Sequence, residues 1–405
     1  MKPIEAELKR YSLVTACYWA FTLSDGALRM LVVLYFHQLG YSPLEVATLF
    51  LLYEFFGIVT NLFGAWIAAV WGLTFTMRFG LALQVVALSM LVLPESLLSI
   101  AYVMVAQAIS GIAKDLNKMS AKSAIKNLVP QNSQGQLYRW VAFLTGSKNT
   151  LKGFGFFMGG ALFSLWGFQG AVGSMAVALF LVLILSFILL RGELGASNYK
   201  PKIRHLFSKS SEVNRLSAAR LFLFGARDIW FVVALPVYFQ TELGWSYVQV
   251  GSFLAVWIIA YGLVQTRAPA ITGIRSGHPP DGHAAFKWAF VLSMLPALIA
   301  LLLYLGFDPN MTLIVGLMFF GAAFAVNSSI HSYLIVSYAT EQQVSLDVGF
   351  YYMANAAGRL IGTVLSGFIF QRYGLEACLL GSAVFLVLAC FISMGLPRRL
   401  QGIGG

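Results

Sequence analysis

Charge is scarce in this chain. Of 405 residues only 11% are Asp, Glu, Lys or Arg, while 59% are hydrophobic; a soluble domain carries roughly 25% charged residues. Long helices of a soluble protein need a polar face, and the segment from Ala171 to Leu190 shows none. A soluble globular fold is therefore excluded, and the chain reads as an all-α polytopic membrane protein. Cysteine is scarcer still. Cys17, Cys378 and Cys390 are dispersed in apolar surroundings without a CxxC pair, which argues against a disulfide framework or a thiolate metal site. There is no P-loop, no nucleophile motif and no clustered metal-ligand spacing, so neither an enzyme nor a bound metal or cofactor is expected. No soluble domain is large enough for signalling. Residues 1–10 are charged rather than apolar, and no removed signal peptide is expected.

Carboxylates are the rarer charge, 16 against 27 Lys and Arg, for a net charge of +11. In a soluble chain that excess would suggest nucleic acid; here its placement carries the meaning, and no nucleic-acid partner is expected. Lys2, Lys9, Arg10, Arg78, Lys122, Lys126, Arg191, Lys200, Lys202, Arg204, Lys209, Arg215, Arg267, Arg275, Lys287, Arg398 and Arg399 fall in alternate loops or at the termini, whereas the opposite loops carry only Arg372. The positive-inside rule places both termini in the cytoplasm, and a multi-pass protein of the inner (cytoplasmic) membrane is expected.

Twelve transmembrane helices are expected, centred near Asp25, Phe56, Ala87, Ala108, Leu151, Leu181, Asp228, Val256, Ser293, Phe324, Arg359 and Val384. The basic gap at mid-chain divides them into an N-terminal six-helix bundle (1–190), a cytoplasmic linker (191–214) and a C-terminal six-helix bundle (215–405). An internal repeat agrees. The run Tyr35 to Ser42 is echoed by Tyr238 to Ser246, which aligns Asp25 with Asp228; Lys152, Gly155, Gly160 and Gly167 match Arg359, Gly362, Gly367 and Gly374 at one constant offset. Two parallel six-helix halves suit a carrier that holds its substrate near the bilayer midplane.

Charges inside the spans are the candidate site. An ionised side chain at mid-membrane costs at least about 2.5–3.5 kcal/mol on insertion scales. Asp25, Arg29, Glu54, Lys148, Lys152, Arg227, Asp228 and Arg359 fall in the central third of their spans, and Lys114, Asp115, Lys118, Arg139 and Arg220 in the cytoplasmic half. Cations dominate, as an anionic ligand would require. Asp25 and Arg29, four residues apart, can pair within one helix, whereas adjacent Arg227 and Asp228 point apart and need partners elsewhere. No carboxylate lies within a helical turn or two of Lys148, Lys152 or Arg359, so these favour substrate contact; by repeat symmetry Lys152 and Arg359 would face each other across a central cavity. Arg29, Lys114, Lys118, Arg139, Arg227 and Asn355 complete the substrate-binding candidates. Asp25, Glu54 and Asp228 are proton-coupling candidates. Asn327, His331, Tyr351 and Tyr352 add hydrogen-bonding groups. In the run Lys114, Lys118, Lys122, Lys126, the outer two are expected at the cytoplasmic surface and the inner two on an electrostatic path to the site. Gly146, Gly153, Gly155, Gly159 and Gly160 make the fifth span either flexible or closely packed.

Three stretches carry a resemblance. Tyr18 to Met30 (YWAFTLSDGALRM), Gly111 to Lys126 (GIAKDLNKMSAKSAIK), and Leu137 to Trp140 with Leu144 to Asn149 closely resemble the ArsJ-type organoarsenical efflux permeases of the major facilitator superfamily. The resemblance implies export of 1-arseno-3-phosphoglycerate, the unstable ester formed when glyceraldehyde-3-phosphate dehydrogenase uses arsenate in place of phosphate. It also implies a functional link to that dehydrogenase as the source of substrate, and arsenate resistance as the outcome. A small, strongly anionic compound of this kind suits the excess of buried cations. The alternative is an organophosphate/phosphate or other organic-anion antiporter of the same fold.

Overall fold

The computed structural model of the protein describes residues 3–41, 45, 48–126, 134–190, 210–272, 279–339 and 343–398. Most of the expected mid-chain linker lies outside the described residues, as do Lys2, Lys200, Arg275, Arg399 and the side chains of Lys9 and Lys126. Helix dominates, and there is no strand among the described residues. The physical cause is the solvent: in hydrocarbon an unsatisfied backbone N–H or C=O costs several kcal/mol, and only a helix closes these bonds within one segment.

In chain order the helices are α1 (Pro3–Gln38), α2 (Leu51–Trp71), α3 (Leu73–Met90), α4 (Ile100–Lys126), α5 (Gln134–Leu189), α6 (Ser211–Phe231), α7 (Ala234–Thr241), α8 (Tyr247–Ile271), α9 (Gly282–Tyr304), α10 (Pro309–Tyr338) and α11 (Val344–Met394). Local chemistry starts several of them. Ser246 and Gln249 form a reciprocal capping box at α8, and Asp308 accepts from the Met311 N–H ahead of a Pro at the first helical position of α10. α5 and α11, at 56 and 51 residues, would each run about 75–85 Å if straight, more than twice the roughly 30 Å hydrocarbon layer. Each turns at a glycine instead, Gly167 (φ 66°, ψ −173°) and Gly374 (φ 79°, ψ −174°), a conformation that a Cβ would strain. α1 and α4, at 36 and 27 residues, are also long enough to span.

The chain forms two compact units. The first comprises Met1–Asn132, Ser147–Ser208 and Thr340–Met353; the second comprises Ser133–Gly146, Lys209–Ala339 and Ala354–Gly405. The displaced segments, Ser133–Gly146 and Thr340–Met353, stand at the same offset from one another as Lys152 and Arg359, so the units repeat each other even in this detail.

In the first unit α4 packs between α2 and α3. A Cβ on Gly111 would come 2.6 Å from the Tyr53 carbonyl, and one on Gly80 would come 3.0 Å from that of Ala113. In the second unit the core is aromatic. Trp230 meets Trp257 and Phe320 edge-on at 6.2 and 5.1 Å, and the Trp257 indole donates to the Leu317 carbonyl at 2.8 Å, giving the buried polar edge a partner. Large apolar side chains such as Phe187, Val384 and Phe391 are exposed, as a lipid-facing surface requires.

Candidate functional site

Charged side chains inside the first unit gather from α1, α2, α4, α5 and the Tyr352 end of α11. Asp25 is buried. Its Oδ1 accepts from the Tyr53 hydroxyl at 2.6 Å, and its Oδ2 accepts from Lys152 Nζ at 3.1 Å. The spacing suggests that Arg29 pairs with Asp25; among the described residues its ion pair is instead with Glu54 on α2, at 3.3 Å, and it lies over the Phe50 and Tyr53 rings. An α-helix can bring i and i+4 together, but the tertiary carboxylate of Glu54 and the Lys152 ammonium outcompete that local pairing.

α4 carries the lysine row. Asp115 sits between Lys114, at 3.7 Å, and Lys118, at 2.5 Å, and the three are buried or nearly so rather than forming a surface pair. The Lys114 ammonium lies 3.9 Å from the centre of the Tyr53 ring, and that of Lys118 lies 4.4 Å from the centre of the Tyr352 ring, contacts worth about 0.5–2 kcal/mol each. Lys122, expected at the cytoplasmic surface, is 4% exposed and donates to the Tyr352 hydroxyl. Positive-inside placement explains a lysine near the membrane edge; it does not explain one that is buried against a phenol.

Lys148 on α5 completes the group. It donates to Asn149 Oδ1 at 3.1 Å, and it has no carboxylate ion pair among the described residues. The ammonium groups of Lys152, Lys122 and Lys118 all act on it, with Asp25 in opposition. Trp19 donates to Ser147 at 3.1 Å and tethers α1 to this turn of α5. Five lysines around so few carboxylates make a cluster whose positive charge is only partly offset. Such a cluster is stable when anionic oxygens enter it.

The second unit repeats one motif and departs from the rest. Asp228, fully buried, accepts from Arg359 at 3.1 Å, as Asp25 does from Lys152. The expectation that Lys152 and Arg359 lack carboxylates is thereby corrected: each has one, contributed by the first helix of its own unit. Arg227 also bonds Asp228, at 2.5 Å, so these neighbours in sequence do meet, contrary to expectation. The Arg side chain is long enough to fold back along its own helix. Asn355 accepts from Arg220 Nε at 2.9 Å, and Arg220 Nη1 reaches both the carbonyl and the hydroxyl of Ser328. Arg139 belongs to the stretch of α5 that falls in the second unit, where its side chain is exposed.

Tyr53 and Lys122 were not among the sequence's candidate site residues, and Asp115 and Arg220 were placed inside the spans without a part in the substrate-binding set. Tyr53 had a signal in its position next to Glu54; the burial of Lys122 had none. Two of the fifth-span glycines, Gly155 and Gly159, are packing devices, as is Gly26 on α1. A Cβ on Gly155 would lie 2.7 Å from the Leu23 carbonyl, one on Gly159 would lie 2.5 Å from that of Ala27, and one on Gly26 would lie 2.6 Å from that of Lys152. They let α5 approach α1 closely enough for Lys152 to reach Asp25.

Comparison with known proteins places this geometry in a wider group. A family model described as Major Facilitator Superfamily matches residues 14–278 and 284–401. No curated protein matches the sequence. Among solved structures, the human organic anion transporter MFSD10 (TETRAN) is 16% identical and superposes with a TM-score of 0.72, covering 97% of this chain and 100% of that one. A bacterial homologue of the iron transporter ferroportin in an outward-facing state is 13% identical, with a TM-score of 0.72 over 95% of this chain and 98% of that one. The E. coli fucose:proton symporter FucP is 11% identical, with a TM-score of 0.71 over 95% and 97%. At these identities the likeness is one of fold.

Proposed function

The chain belongs to the major facilitator superfamily, and from that premise we propose that this multi-pass membrane transporter exports a small, multiply anionic ester from the cytoplasm by alternating access, with 1-arseno-3-phosphoglycerate as its substrate. The carrying observation is Lys148, which lies in the field of three further lysines without a carboxylate ion pair among the described residues. A neutral or cationic substrate would leave that ammonium without a counter-charge or drive it to give up its proton; an anionic substrate keeps it charged. The specific ester comes from the resemblance of the Tyr18–Met30 and Gly111–Lys126 stretches to organoarsenical permeases. It fits the cluster in its charge, and MFSD10, which shares the fold, is itself named an organic anion transporter. On this reading the protein sits in the inner membrane with both termini cytoplasmic, takes its substrate from glyceraldehyde-3-phosphate dehydrogenase, and confers arsenate resistance.

Asp25, Glu54 and Asp228 are each engaged as counter-charges. Proton coupling through any of them would require an ion pair to open during the cycle.

Proteoliposomes containing the dehydrogenase, its aldehyde substrate, NAD and arsenate test the reading. Arsenic should cross the membrane only when the carrier is present, and Lys148→Met, which removes the charge and keeps the stem, should slow it about tenfold or more. Carrier-independent arsenic release, or a wild-type rate in Lys148→Met, would sink it. Replacing arsenate by phosphate separates the runner-up, since an equal flux of the phosphate ester would identify a general organophosphate carrier.

A further inference from the structure

The second unit holds a cluster that the lysine argument does not use. On α10 the residues Asn327, Ser328, Ser329, His331 and Ser332 fall within six positions, and all are at most 1% exposed. Asn327 and His331 are one turn apart and share a side of the helix. Neither atom of the Asn327 amide and neither ring nitrogen of His331 has a hydrogen-bond partner among the described residues. Between them in sequence is Ser328, which Arg220 grips through both its carbonyl and its hydroxyl. The Arg220 charge acts on the His331 ring. The guanidinium is itself buried, stacked 3.9 Å over the Phe224 ring and bonded to Asn355 Oδ1. One turn before Arg220 on α6, the buried hydroxyl of Ser217 also lacks a partner among the described residues.

Each unmade bond at a buried polar atom leaves that atom's desolvation unrepaid. The four Asn327 and His331 atoms, one turn apart on α10, are accounted for when a ligand completes them during the cycle. Their chemistry selects that ligand. The Arg220 charge favours an oxyanion. The Asn327 amide has both donors and an acceptor, and a neutral imidazole has one of each, so a simple anion would leave the acceptors unused. A hydroxyl both donates and accepts. We infer that α6 and α10 form a subsite for an oxyanion carrying a neighbouring hydroxyl group, with Arg220 holding the oxyanion and Asn327 and His331 holding the hydroxyl. The inference deepens the anion-export reading by adding a hydroxyl requirement, and draws on it for the choice of probes.

The test uses the full-length protein in detergent and two ligand pairs that differ by one hydroxyl: 3-phosphoglycerate against its 2-deoxy analogue, and glycerate against 3-hydroxypropanoate. Calorimetry on wild type should show a preference of about tenfold or more for the hydroxylated member of at least one pair, the value of one good hydrogen bond. Asn327→Leu and His331→Leu should each bring that ratio close to one. Arg220→Gln should weaken both members of a pair alike. Thermal melting checks that the variants fold; because each Leu removes an unsatisfied polar group, melting should not fall, and if one variant fails to fold the other still decides. Equal affinity within both pairs in wild type, or an unchanged ratio in the folded Leu variants, overturns the subsite. The two readings fail separately. Loss of phosphoglycerate binding in Lys148→Met with an intact ratio in the glycerate pair supports both, whereas a glycerate preference without any binding of the phosphorylated pair removes the ester reading and keeps the subsite.

Discussion

At the scale of single residues, the first-helix aspartates govern how mutations should be read. Asp25 is buried with Lys152 and Tyr53 as partners, so removing Lys152 does two things at once: it removes a cation from the anion cluster, and it strands a carboxylate. Breaking a buried pair from one side costs roughly 3–5 kcal/mol, whereas replacing both partners by apolar groups is often neutral; with Lys152 17% exposed the cost here is at the lower end. Lys152→Met should therefore lower the melting temperature of the purified protein, and Asp25→Leu combined with Lys152→Met should restore most of it. A double variant that melts as low as the single one would show that the pair is not what Lys152 stabilises. The cations themselves were legible in the sequence because charge inside an apolar span is conspicuous. Their partners were not, since Asp25 and Lys152 lie on helices whose adjacency no local spacing encodes. Lys148, for which sequence spacing and structure agree, is for that reason the cleaner probe of transport.

At the scale of helices, the glycine pattern provides its own controls. Gly155 and Gly362 are repeat equivalents, and each sits against the first helix of its unit: a Cβ would come 2.7 Å from the Leu23 carbonyl in one case and 2.5 Å from the Gly225 carbonyl in the other. Gly160 and Gly367 are equivalents too, and a Cβ at either meets nothing within 4 Å. Backbone carbonyls on a packed helix cannot step aside as a side-chain tip can, and overpacking of this kind costs about 1–3 kcal/mol. Gly155→Ala and Gly362→Ala should each lower the melting temperature by several degrees, while Gly160→Ala and Gly367→Ala leave it unchanged or raise it, since Ala is the better helix former. Equal effects at all four positions would mean that the glycines are there for flexibility rather than approach. The sequence showed that these glycines repeat, and left open whether they bend or pack; only the distance between α1 and α5 decides it. Gly167 and Gly374 are the exception, where the positive φ shows a turn.

At the scale of the whole molecule, the two units share one device and differ in the remainder. Both units pair a first-helix aspartate with a cation of α5 or α11. Around that pair the first unit accumulated lysines and the second an arginine among neutral hydrogen-bonding groups. The repeat and the all-helical fold were legible because periodic apolar length and glycine spacing are one-dimensional signals. The assignment of Thr340–Met353 to the first unit and Ser133–Gly146 to the second was not, because compactness depends on contacts far apart in the chain. That assignment has a measurable consequence. The first unit includes Leu346, fully buried with Leu62 and flanked by Trp66, Phe350 and Met353, and Tyr352, to which Lys122 donates. An N-terminal fragment of residues 1–200 lacks all of these later residues. Expressed alone, it should leave Leu62 uncovered and Lys122 without its phenol, and in detergent it should show no cooperative melt. Co-expressed with 201–405 it should co-purify and melt near the temperature of the intact chain, because the cut falls between residues 191 and 209 and leaves Thr340–Met353 on a fragment still able to supply it. Cooperative melting of 1–200 by itself at the full-length temperature would contradict the division, as would failure of the two fragments to associate while each folds independently.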